Sequence, residues 1–201
     1  MDPAAIIATS SISSVIAETI FRQVFRCMLS AAKSSSALVL IIGKTELCKK
    51  LYNLNDDNFY CVDVEGETWA SLTDATKTTL QELQTKGNLA QRDRLFNLYA
   101  KAYVTALKRN FRKAQFLFVT SSHQLAKYAC GVPQSRIQTA LPSGTFAEVL
   151  LKDKDQLSAA DFESKKVESL RACRNERLYV FDSWDTLTSE IMRQYKLSPR
   201  L

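Results

Sequence analysis

Histidine is nearly missing from this chain: His123 is the only one in 201 residues. Five cysteines are present (Cys27, Cys48, Cys61, Cys130 and Cys173), yet none stands in a C-x-x-C pair. A zinc site needs nitrogen and sulfur ligands at close spacing, and the chain offers no such set. An odd number of dispersed cysteines reads as reduced thiols packed like small hydrophobes, in a cytosolic or nuclear setting. There is no G-x-S-x-G elbow, and Pro142-Ser143-Gly144 lacks the earlier glycine, so the local signature of a serine hydrolase is missing. His123 follows Ser121-Ser122 and reads as the opening of a helix capped by one of those serines. Long apolar runs are absent too. The longest uncharged stretch near the start, residues 3–17, is too short and too rich in serine to cross a bilayer. Asp2 stands where a leader would carry basic residues, so neither a secretory signal nor membrane insertion is expected.

What is present is the composition of a globular protein. Hydrophobic residues make up 46% and charged residues 24%, which suits one domain with a sizeable core and argues against a disordered chain. The net charge of +6 and pI of about 9.1 favour acidic partners, but fall short of a nucleic-acid-binding signature. Localisation is expected to be intracellular, in cytoplasm or nucleus.

Residues 1–36 stand apart from the rest. Ile12, Val15, Ile16, Ile20, Phe21, Val24, Phe25, Met28 and Leu29 recur at three- and four-residue spacing, the mark of an amphipathic helix. Glu18, Arg22, Gln23 and Arg26 fall on its other sides. Such a helix packs on its own domain or lies in a partner's groove. In the second case Ile16, Ile20, Phe21, Val24, Phe25 and Met28 are the contact residues. The run Lys33-Ser34-Ser35-Ser36 separates it from a second unit, residues 37–201.

That second unit alternates. Apolar, β-rich runs occupy 37–42, 59–64, 116–120, 137–141 and 178–181. Helical patterns lie between them, at 45–52, 72–83, 89–113, 124–129, 146–174 (interrupted at 153–158) and 186–195. Alternation of this kind predicts an α/β fold, a five-stranded and mostly parallel sheet with helices on both faces. Gly66, Gly87, Gly131-Val132-Pro133 and Pro142-Ser143-Gly144 fall at the joints.

The first strand runs into Gly43-Lys44-Thr45 and then Glu46-Leu47-Cys48-Lys49-Lys50-Leu51. This resembles the passage from phosphate loop to helix in the P-loop nucleoside and nucleotide monophosphate kinases. Phe59-Tyr60-Cys61-Val62-Asp63-Val64-Glu65 resembles the second strand of that group, which ends near acidic substrate-site residues. Phe116 to Ser122 and Ile137 to Ser143 resemble its third and fourth strands. Arg171 and Arg174 stand where the group often carries lid or adenine-side arginines. The resemblance covers roughly residues 37–201. It implies, as one reading, a nucleotide-binding phosphotransferase that uses ATP and magnesium. Gly43, Lys44, Thr45, Asp63, Glu65, Arg171 and Arg174 would then hold the nucleotide.

The departures point the other way. A working loop has the form G-x-x-x-x-G-K-[ST], so that successive backbone N–H groups wrap a phosphate. Here Leu38 occupies the place of the first glycine, in the middle of the strand. The strand at 116–119 ends in Thr120-Ser121-Ser122, where the resemblance leads one to expect an acid that holds the magnesium shell. Phosphoryl transfer rests on positioning and on electrostatic stabilisation of the phosphates, so both losses predict a pseudoenzyme with no cofactor. The expectation is a non-catalytic structural or interaction protein within an oligomer or larger assembly. Large DNA viruses reuse enzyme folds as minor capsid or virion components, and that is a setting such a scaffold suits.

Two further clusters have alternative readings. Asp63 and Glu65, two apart at a strand end, share a face and form either an acid pair in a cleft or a solvated end before a Gly66 turn. On helix 89–113, Lys101, Lys108 and Arg112 share one side, opposite an apolar stripe of Leu95, Leu98, Ala102 and Leu107. That side reads as a solvated face, as a surface for an acidic protein, or as a nucleic-acid contact.

Overall fold

The computed structural model describes residues 35–52, 59–112, 114–152, 158–173 and 178–197. The expected N-terminal helix with Ile16, Ile20, Phe21, Val24, Phe25 and Met28 lies outside the described residues, and so does Arg174. The chain from Ser35 onward is one compact unit.

Its elements run in the order β1 (Ser35–Leu40), α1 (Lys44–Tyr52), β2 (Phe59–Asp63), α2 (Val64–Ser71), α3 (Asp74–Thr85), α4 (Leu89–Asn110), β3 (Gln115–Thr120) and α5 (His123–Tyr128). A short 3-10 turn then leads to β4 (Ile137–Pro142), α6 (Gly144–Lys152), α7 (Ala159–Ala172), β5 (Leu178–Phe181) and α8 (Trp184–Tyr195). The strands form a single sheet in the order β2-β3-β1-β4-β5, and every pairing is parallel. The expected α/β class and all five expected strands are therefore present.

Alternation along the central strands builds two separate layers. Ala37 and Val39 of β1, with Phe116 and Phe118 of β3, face Ala100 and Val104 of α4 and Leu125 and Ala126 of α5. Leu38 and Leu40, with Leu117 and Val119, face Leu47 and Leu51 of α1 and Leu187 and Ile191 of α8. Each fully buried side chain of this size contributes about 1.5–3 kcal/mol. A slip of β1 by one residue would exchange the two sets, so burial on both faces fixes the register Ala37↔Phe118. Among the described residues, no helix is long and apolar enough to cross a membrane.

One helix departs from expectation. The sequence pattern places a strand end at 63–65 and a turn at Gly66, but the chain turns into α2 directly at Val64. Asp63 is the N-cap, accepting a hydrogen bond from the Gly66 backbone N–H at 3.1 Å, and Glu65 and Glu67 sit in the first turn, where the helix dipole favours negative charge.

Candidate functional site

The chain leaves β1 toward the α1 and α8 layer and leaves β3 toward the α4 and α5 layer. Where neighbouring parallel strands send their connections to opposite faces, a crevice opens at their carboxyl ends, and ligands of α/β proteins bind there. In this fold that switch point lies between the ends of β1 and β3. It gathers Gly43-Lys44-Thr45, Asp63, Glu65 and Thr120-Ser121-Ser122.

Gly43 joins β1 to α1 with φ of 80°, a left-handed conformation that only glycine adopts without strain. Its carbonyl accepts the Leu47 N–H at 3.0 Å and so opens the helix. A Cβ added at Gly43 would overlap the indole of Trp184. That indole is held in place by an edge-on contact to Phe146 at 5.7 Å and a tilted contact to Phe181 at 5.6 Å. Ser183 fixes the start of α8 through a reciprocal capping box with Thr186. A tryptophan therefore fills the space against the backbone at the joint where the sequence suggests a phosphate loop.

Several of the remaining polar groups are engaged with one another. The Thr45 hydroxyl donates to Asp63 Oδ2 at 2.7 Å, while Asp63 Oδ1 takes the Gly66 N–H. A Cβ at Gly66 would press on the Asp63 carboxylate, so glycine there is what lets the cap close. Glu65 Oε1 accepts from the Ser121 backbone N–H at 2.6 Å, and Oε2 is buried without a protein partner among the described residues. Thr120 donates to the Ser122 carbonyl at 3.0 Å, and Ser122 Oγ caps α5 by accepting from Leu125 N–H at 3.2 Å. Asp63 thus ties β2 to α1, and Glu65 ties α2 to the end of β3.

These contacts settle the geometry of Asp63 and Glu65. They are not two side chains on one face of a strand, because the helix starts between them. Nor is Asp63 solvated: it is 7% exposed. The signal was legible as an N-cap aspartate followed by two glutamates in the first turn, but Gly66 reads locally as a turn and masked it.

Lys44 is half-buried beside this network and Thr45 is exposed. His123 is buried, and its Nε2 meets Thr139 Oγ1 of β4 at 3.1 Å. Burial, and then the nearby Lys127 ammonium, hold its pKa below the ordinary value. His123 lines a cavity of about 300 Å³ with Ser121, Ser122, Lys127 and Glu168. Arg171 is exposed near the end of α7. It lines an open cleft of about 710 Å³ with Glu163, Val167 and Glu168, which adjoins the His123 cavity through Glu168 and Ala172.

On α4 the predicted basic side does not hold together. The Lys108 ammonium turns inward, donating to the Cys130 carbonyl at 2.7 Å and lying 5.1 Å from the centre of the Phe118 ring. Burial lowers its pKa. Lys101 lies over the Tyr128 ring at 5.0 Å, and Arg112 is exposed just beyond the helix. The apolar face is also different from the expected stripe. Ala100 and Val104 are buried with Phe96, Tyr103 and Leu107 packed beside them, whereas Leu98 and Ala102 are exposed.

The thiols bring one surprise. Cys130 is buried, and burial pushes its pKa up to about 12, as an inert packed thiol requires. Cys48 and Cys61 do not stay scattered, because the fold places their Sγ atoms 3.2 Å apart. No residue spacing announced that contact. No family model matches the chain, and no curated protein or solved structure matches it either.

Proposed function

We propose that the chain is a non-catalytic structural or interaction protein built on a degenerate nucleotide-kinase-like fold, and that it works as a component of a larger assembly. The strand order β2-β3-β1-β4-β5 with the Gly43-Lys44-Thr45 joint at the end of the central strand is compatible with that fold. The observation that carries the reading is the Trp184 indole packed against Gly43. A phosphate at this joint would need open backbone N–H groups, and an aromatic cluster of Phe146, Phe181 and Trp184 occupies the approach. The nearby acids support the same reading, since Asp63 and Glu65 brace the fold through Thr45, Gly66 and Ser121. A minor capsid or virion component of a large DNA virus remains the setting this architecture suits.

The test is a melting experiment on the full chain with ATP or GTP and magnesium. A ligand present at 100 times its dissociation constant adds about 2.7 kcal/mol, which at this chain length is a shift of several degrees. The expected curve is flat across nucleotides. A nucleotide-dependent rise would overturn the proposal in favour of a phosphotransferase with ATP and magnesium as cofactors. Light scattering on the full chain tests the assembly itself. Replacing Ile20 and Val24 by aspartate is expected to reduce the assembled mass while leaving the melting temperature in place. Retention on a nucleic-acid column that falls steeply with log[salt] would favour the reading through Lys101 and Arg112 instead.

A further inference from the structure

We propose that Cys48 and Cys61 form a reversible dithiol–disulfide site, oxidised by a small disulfide of the glutathione type, whose bond staples α1 to β2. The two sulfurs lie 3.2 Å apart, on elements that approach from different directions: Cys48 on the helix that follows Gly43, Cys61 on the strand that ends at Asp63. A disulfide needs about 2.05 Å between sulfurs, so closing the gap takes roughly one ångström. Both residues are free thiols and both are partly accessible. The aromatic rings of Phe59 and Tyr195, with centroids 5.0 Å apart, pack into the same layer beside the pair. Cys130 belongs to the opposite layer, and Cys173 caps the end of α7, so neither competes for the contact.

The chemistry closes without any further reagent. The Cys48 thiol loses its proton, and its sulfur attacks one sulfur of the glutathione disulfide, releasing the first glutathione thiolate. Cys61 then loses its proton and attacks the Cys48 sulfur of the mixed disulfide, and the second glutathione thiolate leaves. Two protein thiols are oxidised and one small disulfide is reduced. Burial, followed by its hydrogen bond with Cys48, raises the Cys61 pKa, which slows attack by that thiol. The second step is intramolecular at contact distance, and proximity offsets the poor ionisation of Cys61.

The bond would join the two elements that already meet through Thr45 and Asp63. Closing a loop of this length restricts the unfolded chain, and the melting temperature of the oxidised protein is expected to rise by roughly 5–10 °C.

The experiment equilibrates the full chain in glutathione buffers from reducing to oxidising. The reaction is then stopped with acid, free thiols are alkylated with N-ethylmaleimide, and mass and peptide linkage are read. Alkylation of Cys48 and Cys61 is expected to disappear together, with a mass lower by two hydrogens and a cross-linked peptide holding both residues. Cys61→Ser is expected to trap one glutathione on Cys48, and Cys48→Ser to leave Cys61 unreacted. The proposal fails if both thiols are still alkylated in the most oxidising buffer. It also fails if Cys48 pairs with a different cysteine, or if glutathione stays on Cys48 of the unaltered chain without resolving. Mapping of the unaltered chain decides the matter even where a serine variant folds poorly.

Discussion

At Gly43 two demands fall on one atom that is not there. The backbone is left-handed, which costs a residue with a Cβ about 1–2 kcal/mol, and the Trp184 indole sits where that Cβ would go. Overpacking of this kind adds roughly 1–3 kcal/mol. Gly43→Ala is therefore expected to destabilise the protein by about 2–5 kcal/mol in equilibrium urea unfolding. In a Trp184→Ala background the same change is expected to cost only the backbone part. Equal costs in both backgrounds would show that the indole does not press on this position. The sequence makes one of the two demands readable: a glycine between a strand and a helix, followed by Lys44-Thr45, marks the joint. It carries no trace of Trp184, which lies at the far end of the chain, because local periodicity says nothing about which distant side chain will land on a given backbone. The Cys48–Cys61 contact was hidden for the same reason.

The elements were more legible than their contacts. β1 and β3 announced themselves as continuous apolar runs, which is how strands buried on both faces read. The spacing predicts α4 along nearly its whole length, but it does not predict the inner face. Leu95, Leu98 and Ala102 keep helical spacing with one another, yet the helix turns Ala100 and Val104 to the sheet, where small residues allow close approach. Lys108 then lies along the packed side, its ammonium placed over the Phe118 ring and donating to the Cys130 carbonyl. A long cationic side chain can cover apolar surface in this way, so charge alone did not mark it as outward. α5, only six residues long, is too short to persist unaided. It is pinned by buried Leu125 and Ala126 and by the contact between His123 and Thr139 of β4. That pin should respond to pH. The unfolded chain takes up a proton at His123 near the ordinary value of 6.5, whereas burial, and then Lys127, lower the folded value and the Glu168 carboxylate only partly opposes them. The unfolded state thus binds more protons in the window below 6.5, and stability falls as pH falls through it. Melting temperatures between about pH 7.5 and 5.5 are expected to decline in the unaltered protein and to flatten in His123→Gln. An unchanged slope in the variant would assign the decline to other groups.

For the molecule as a whole, the class of fold followed from the alternation of strand and helix patterns, while the order of strands did not. Only the structure shows β1 in the middle, paired with β3 on one side and β4 on the other. That placement has a consequence for how the chain is made. Ser35 lies opposite Phe116 and Ala37 opposite Ile137, so the first strand among the described residues is also one whose neighbours are made late. At about 5–20 residues per second, β1 waits several seconds with its apolar faces unpaired. Long-range parallel pairing of this kind is slow and exposes the chain to aggregation. Nascent chains stalled after residue 112 are therefore expected to be insoluble or chaperone-bound, and those stalled long enough to release β4 from the exit tunnel are expected to resist protease. Protease resistance in the shorter chains would show that β1 finds shelter earlier. The central strand, which organises the finished protein, spends much of synthesis without the neighbours that will cover it.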